Sequence, residues 1–412
     1  MSNYEEVLAN LKKYNQEQLL NFYNELGDNA KERLLSQIEK IDLEQVKNLY
    51  AHREDAPDTN KKIENIPVIK KEKLSDIQKK EYEKIGEKII KEKRIAVCQM
   101  AGGQGTRLGH NGPKGTLIID KINPPKSIFE LFADKLKKVY EKYGVKIRWY
   151  VMTSNANDYD TRKFFEEHNY FDYGKENVKF FVQGELPLLD KEGKIVLKEK
   201  GEVFMAPDGN GGIYEALRKN EILNEMKNDG IDYLGIGNVD NILINMLDTI
   251  FIGLMVENNY ELATKTTTKV SPEEKVGVVC LMDGKPGVVE YTEITEEMAN
   301  ERNEEGELLF GEGYFGCSIF SRTLLERITD KLYYHAAFKK NEYVLSNGEM
   351  SKSDVPNTYK FEAFIFEGFN VSKNLLVLSV NRKEEFAPIK NREGVDSVET
   401  AATLYNDFIN RS

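Results

Sequence analysis

Ile95-Ala-Val-Cys-Gln-Met100-Ala-Gly-Gly-Gln-Gly-Thr-Arg-Leu-Gly109 decides how the rest of the chain is read. A short apolar run breaks into a glycine-rich loop, as expected of the first strand of an α/β sheet and the turn at its carboxyl end. Gly102, Gly103 and Gly105 allow tight turns and let backbone N–H groups approach a nucleotide closely. Arg107 can make bidentate contacts to phosphate oxygens, and Lys114, in Gly112-Pro-Lys-Gly115, adds a compact point charge. Two familiar phosphate loops are excluded. The dinucleotide fingerprint needs glycine where Leu108 stands, and the P-loop needs glycine where Pro113 precedes Lys114.

Outward from this stretch, further strands are expected at Ile147 to Met152, Val178 to Val182, Tyr233 to Gly237, Val276 to Leu281 and Leu375 to Val380. Helical patterns at Ser127 to Tyr143 and Gly212 to Asn228 separate several of them. This alternation predicts a Rossmann-like α/β fold: a mixed, mostly parallel sheet with helices on both faces, whose ligands bind beyond the carboxyl ends of the strands. Residues 1 to about 50 carry leucines and isoleucines at helical spacing. Ala51 to Lys73, with Pro57 and Pro67, reads as an extended connector, and Leu74 to Lys91 as a charged helix. Leu281 to Leu309 has hairpin signals at Asp283-Gly284 and Pro286-Gly287. The expected division is an N-terminal helical region at 1–90, a catalytic domain at 91–375 and a short C-terminal segment at 376–412.

Composition narrows the class. The 412 residues carry a net charge of −11 with 40% hydrophobic and 31% charged side chains. A soluble globular protein has this balance, and nonspecific nucleic-acid binding, which needs a basic surface, is disfavoured. No apolar run of about 18 residues suggests a membrane span, and the N-terminus lacks signal-peptide blocks. Three cysteines without metal-ligand spacing fit a reducing, cytoplasmic setting.

Other motifs fall at expected strand ends. Asp240 follows Tyr233-Leu-Gly-Ile-Gly-Asn-Val, which places a carboxylate where a hard divalent cation could bind; Asn241 could share that site. Asn210, in Asp208-Gly-Asn-Gly-Gly212, stands before a helical pattern. A cap there would explain it without a ligand, while a helix start facing an anion would serve both roles. His110 and His335 are isolated and read as structural.

The loop with its following Pro-Lys-Gly resembles the signature of the UDP-sugar pyrophosphorylases, most closely those acting on UDP-N-acetylhexosamines. The resemblance continues through Gln183-Gly-Glu-Leu-Pro187, Ala206-Pro-Asp-Gly-Asn-Gly-Gly212, Val239-Asp-Asn-Ile242, Val276-Gly-Val-Val279, Val288-Val-Glu-Tyr291, Pro356-Asn-Thr-Tyr-Lys-Phe-Glu362 and Glu385-Phe-Ala-Pro-Ile-Lys-Asn391. It implies a GT-A-like nucleotidyltransferase that uses Mg²⁺ (or Mn²⁺) to join UTP to a sugar 1-phosphate, most closely N-acetylglucosamine 1-phosphate. Neither nucleic acid, membrane nor protein partner is implied.

Carried over residue by residue, the resemblance assigns Gln183 to the uracil edge and Gly102, Gly103 and Gly209 to the nucleotide. Asn210 and Glu290 go to the sugar, and Lys360 and Lys390 to the α-phosphate and nearby oxygens. Arg107 and Lys114 face the departing pyrophosphate, with Asp240 on the metal. One position departs from the pattern: Tyr314, in Gly311-Glu-Gly-Tyr314, stands where the family carries a sugar-contacting asparagine. A phenol there either fills part of the sugar pocket or offers a different hydroxyl. The rival expectations are glucose or galactose 1-phosphate as substrate and, from another class, a nucleotide-sugar binder without turnover.

Overall fold

The computed structural model describes residues 3–54, 62–328 and 332–411. Pro57, in the expected connector, lies outside the described residues. The chain forms two compact units, each assembled from segments far apart in sequence.

The first unit comprises Met1–Thr59, Gly184–Gly212 and Leu332–Phe364. Its helices Tyr4–Lys13 and Leu43–Ala51 are started by Asn3 and Asp42, whose side chains accept from the Glu5 and Gln45 amides. Their apolar stripes, with that of Asp28–Glu39, close over Leu189, Ile195, Leu197 and Phe361. Leu11, Leu19 and Leu34 are wholly buried there, each contributing roughly 1.5–3 kcal/mol of burial. Buried Gln16 joins the segments by donating to the Gly193 carbonyl and accepting from the Ile195 amide. The pairing of His335–Lys339 with Thr358–Glu362 completes this unit.

The second unit holds the large sheet. Its principal strands are β1 (Ile95–Met100), β2 (Trp149–Thr153), β3 (Val178–Val182), β4 (Tyr233–Asn238), β5 (Leu262–Thr268), β6 (Val278–Met282), β7 (Lys285–Val289), β8 (Glu312–Ser321) and β9 (Leu375–Ser379). Their order is β9-β5-β8-β4-β1-β2-β3. On this path β8 alone runs antiparallel to its neighbours. The mostly parallel α/β sheet expected from the sequence is therefore present.

All six residues of β1 are buried, which is why the strand reads as a continuous run: both faces of a parallel strand are covered. The covering helices include Asp76–Lys91, Ile128–Tyr143, Thr249–Glu257 and Val398–Ile409, all represented in one core with the sheet. Ser75 opens the first of these with a capping box, and Ser127 caps the second. The helix expected over Gly212 to Asn228 is split into Ile213–Lys219 and Ile222–Asn228 by Glu221, whose φ of 59° breaks the helical path.

Two parts of the expected connector enter this sheet. Ile69–Lys70 pairs with β9, and Ile63–Glu64 pairs with β6. The hairpin signal at Asp283-Gly284 is realised between β6 and β7, where both residues have positive φ, 51° and 75°. No described helix is long and apolar enough to cross a membrane.

The connectivity places the site. From β1 the chain moves outward through β2 to β3, then returns to place β4 on the other side of β1. This reversal opens a crevice beyond the carboxyl ends of β1 and β4, the usual ligand position in such sheets.

Candidate active site

The carboxyl ends of β1 and β4 are level, with Met100 opposite Asn238. From the first end springs the glycine-rich loop, and from the second comes Asp240. Both loops thus begin from one rigid edge.

The glycine loop is shaped largely by its own backbone. The Lys114 amide donates to the Gly103 carbonyl at 3.0 Å, and the Gly105 amide to Gly112 at 2.9 Å. From the end of β2, Ser154 Oγ donates to Gly102 O at 2.8 Å, and Asn157 Nδ2 to Ala101 O at 2.9 Å. His110 is part of this fold-back, its Nε2 lying 2.8 Å from Thr116 Oγ1. A Cβ at Gly102 would stand 2.3 Å from Oε1 of Gln183, so any larger residue there must displace that amide. Gln183 itself is anchored by its amide to the Thr153 carbonyl at 2.8 Å. Two expected nucleotide residues, Gly102 and Gln183, are therefore in close approach. Arg107 is exposed on the loop beside them.

Lys114 Nζ lies 3.6 Å from Asp240 Oδ2, with 19% and 20% of their side chains exposed. An ammonium and a carboxylate thus meet at the mouth of the crevice, where both remain reachable. Asn241, offered by the sequence as a second metal ligand, points the other way. It is 2% exposed, and its amide group is spent on the backbone of Glu385, Leu243 and Ala387. Lys390 enters the same neighbourhood because the Ile389 amide donates to Asp240 O at 2.9 Å. Its ammonium lies 3.6 Å from Asp396 and is about half exposed.

Glu290 and Tyr314 meet at Gly277. The Tyr314 amide donates to the Gly277 carbonyl at 2.8 Å, and Glu290 Oε1 lies 3.9 Å from the Cβ position of Gly277. Tyr314 is aimed by a bulge in β8. Thr264 and Thr266 on β5 pair with Ser318 and Tyr314, so extra β8 residues bow out between them, at Gly316 with φ +80°. The ring packs edge-on against Phe366 and Phe369. Its hydroxyl oxygen is buried, with the Ser318 hydroxyl, itself paired with Thr264, nearby. Burial raises the phenol above its ordinary pKa. The Tyr314 hydroxyl is thus enclosed by packing.

In the first unit, the loop that holds Gly209 and Asn210 is bonded to Ala363, just past the strand Thr358–Glu362 that carries Lys360. The Gly211 amide donates to Ala363 O, and the Ala363 amide donates to Asp208 O. Gly209, at φ +88°, lies flush against the Ala363 backbone. Asn210 starts the short turn that leads into the helix at Ile213. Lys360 Nζ is 2.8 Å from Glu362 Oε1, two residues along the same strand face.

Sequence reasoning passed over Ser154, Asn157 and the buried role of Asn241. The first two sit in Thr153-Ser-Asn-Ala-Asn157, just beyond an expected strand, where short polar side chains commonly bond to nearby backbone. That position was a usable signal.

Comparison with known proteins identifies the family. A family model described as UTP–glucose-1-phosphate uridylyltransferase matches residues 43–406. UDP-N-acetylhexosamine pyrophosphorylase-like protein 1 of Homo sapiens is 36% identical over 417 residues, spanning 96% of this chain and 82% of that protein. UDP-N-acetylglucosamine pyrophosphorylase of Saccharomyces cerevisiae is 36% identical over 415 residues, spanning 95% and 87%. Among solved structures, the uridine diphosphate N-acetylglucosamine pyrophosphorylase of Trypanosoma brucei superposes with a TM-score of 0.83 at 29% identity, covering 98% of this chain and 84% of that one.

Proposed function

The chain belongs to the UTP–glucose-1-phosphate uridylyltransferase family, and from that premise we propose that it joins UTP to N-acetylglucosamine 1-phosphate. The products are UDP-N-acetylglucosamine and pyrophosphate. The observation that carries this reading is the meeting of Lys114 and Asp240 beside a backbone-shaped glycine loop, at the reversal point of a parallel sheet. The relatives' names supply the sugar.

The reaction is an in-line attack by a sugar-phosphate oxygen on the α-phosphorus of UTP. A new O–P bond forms as the bond to the β-phosphate bridging oxygen breaks and pyrophosphate departs. The nucleophile is already an anion, so no general base is required. The obstacle is crowded negative charge, and positioned cations answer it. Arg107 and Lys114 receive the departing pyrophosphate. Lys360 exchanges Glu362 for the α-phosphate, and Lys390 serves the nearby oxygens. Gln183, with both donor and acceptor atoms on its amide, suits the uracil edge. Gly103 and Gly209 let the backbone come close to the nucleotide, while Asn210 and Glu290 take the sugar.

Mg²⁺, or Mn²⁺ in its place, is part of this reading. Among the described residues no cluster of three or more His, Cys, Asp or Glu could hold a metal by itself. A lone Asp240 therefore fits only a cation that takes one carboxylate and completes its shell with phosphates and water, as Mg²⁺ commonly does. Such a cation would screen the phosphates from one another. The cytoplasm is the compartment of choice, since Cys98, Cys280 and Cys317 are all free and buried.

A second reading, glucose or galactose 1-phosphate, is favoured by Tyr314, whose ring occupies the place of the family's asparagine. Pyrophosphate release with UTP and Mg²⁺ separates the two when N-acetylglucosamine, N-acetylgalactosamine, glucose and galactose 1-phosphates are compared. Fastest release with N-acetylglucosamine 1-phosphate is expected. Tyr314→Asn should then shift the ratio of acetylated to plain sugars by roughly tenfold, the scale of a small change in pocket shape. UTP binding with no release from any sugar would sink the enzyme reading.

A further inference from the structure

We infer that Asn241, held in place through Glu385 by the buried ammonium of Lys265, is a positioning residue that keeps Asp240 and Lys390 in one fixed geometry. The inference rests on the uridylyltransferase reading above and adds a part of the machinery that touches no substrate.

Asp240 and Asn241 are consecutive and face opposite ways. Asp240 looks outward to Lys114, whereas Asn241 plugs the gap between its own loop and the segment that carries Lys390. Nδ2 of Asn241 donates to Glu385 O at 2.7 Å. Its Oδ1 accepts from the Ala387 amide at 2.9 Å and the Leu243 amide at 3.2 Å. Backbone bonds flank the plug, from Ile242 to Ala387 O at 3.2 Å and from Ile389 to Asp240 O at 2.9 Å. The two loops are thereby laced together on either side of Asn241.

Glu385 is the far anchor of this lacing. Its backbone carbonyl meets Asn241, while its carboxylate receives Lys265 Nζ at 2.6 and 2.8 Å. Lys265 lies in β5 with no exposed surface, and its ammonium also meets Asp248 at 2.8 Å and the Asn245 carbonyl at 3.0 Å. Asp248 is fixed in turn by Lys71 at 2.7 Å and by capping the Ile250 amide. Desolvating buried charges is costly, and well-packed apolar replacements of such networks are often no less stable. What the charges add is directional placement, and here it ends at two residues of the proposed site.

Displacing a catalytic group by about 1 Å can cost on the order of 10²-fold in rate. Asn241→Ala should therefore lower kcat by roughly 10- to 100-fold while KM for UTP and UTP affinity stay within about threefold. The Ala387 and Ile389 amides should exchange with solvent at least about tenfold faster, well below the melting temperature. A second variant, Lys265→Met with Glu385→Gln, removes both charges together and avoids a stranded ion. It should show the same kcat loss, and combining it with Asn241→Ala should add little further loss, as expected of residues acting through one path. Wild-type kcat with freed amides would overturn the inference, as would a pure KM effect or fully additive losses. A wild-type protein without pyrophosphate release would instead remove the reaction itself, so the two failures are distinguishable.

Discussion

The two flanks of β4 are built by different means. On one side, β1 is an apolar strand that ends in a loop folded on its own backbone and on Ser154 and Asn157. On the other side, β8 and β5 bury Thr264, Lys265, Thr266 and Ser318, paired through hydroxyls and charges, and β8 is bulged at Gly316. The first flank holds its shape largely through backbone groups, with Ser154 and Asn157 as the side-chain exceptions. The second holds it through particular side chains, each of which must keep its partner. Arg107 and Lys114, proposed for the pyrophosphate, lie on the first flank, and Tyr314 lies on the second.

The largest effect should come from removing a presented charge. Lys114→Ala is expected to fold normally and lose about 10²- to 10³-fold in kcat, the scale of deleting one preorganised donor. Lys360→Ala, in the other unit, should lose a comparable factor. Steady-state kinetics of both, beside thermal unfolding, checks this. Near-wild-type turnover by either variant removes that lysine from the mechanism.

A smaller effect is expected from crowding the loop without touching its charges. In Gly102→Ala the new methyl would fall 2.3 Å from Gln183 Oε1, so the amide must swing away. The side chain is flexible and the fold should survive, but UTP should bind roughly tenfold more weakly through loss of an oriented hydrogen-bonding group. Direct titration with UTP measures it. Unchanged affinity would mean that the amide has no part in holding the base.

These contrasts also explain what could be read from the sequence. Ile95–Met100 announces itself because a parallel strand covered on both faces is nearly apolar throughout, and Val178–Val182 and Tyr233–Asn238 show because their runs are apolar but for Lys179 and Asn238. Leu262–Thr268 was passed over: Ala-Thr-Lys-Thr-Thr-Thr looks like surface, although threonine, being β-branched, favours strands. Its polar atoms are buried because the rest of the sheet supplies partners, and a partner is not visible in a local pattern. Glu312–Ser321, the ten-residue β8, was hidden by Gly313 and Gly316, which read as loop and are a strand and its bulge. Within the site, the charged and glycine positions stood out by type and order. Asn241 was misjudged because the direction of a side chain after a strand end depends on the neighbouring segment, here 385–389.

Two lysines sharpen the comparison at its finest scale. Lys265, on the polar flank, would be lowered by burial alone, but Asp248 and Glu385 beside it hold its pKa above the ordinary value. Lys135, on the helix that covers the apolar flank, donates to the Ile242 and Ile244 carbonyls, at 2.8 and 2.7 Å. Burial pushes its ammonium down to about 7, with the more distant Glu385 restoring only part. Between that value and the unfolded lysine value of about 10.4, the unfolded chain binds a proton that the folded chain has released. Lys135 therefore makes stability rise with pH across this window and fall as pH drops toward about 7, levelling off below it. Lys265 has the opposite sign, its contribution being complete below about 10.4 and lost only above. Unfolding free energies of wild type and Lys135→Met, measured from pH 6.5 to about 10, should diverge in favour of wild type. The slope should be no steeper than about 1.4 kcal/mol per pH unit, the limit for one proton. Parallel curves would mean that Lys135 stays charged in the fold, and that carbonyls on the apolar flank hold an ammonium as firmly as the carboxylates do on the other.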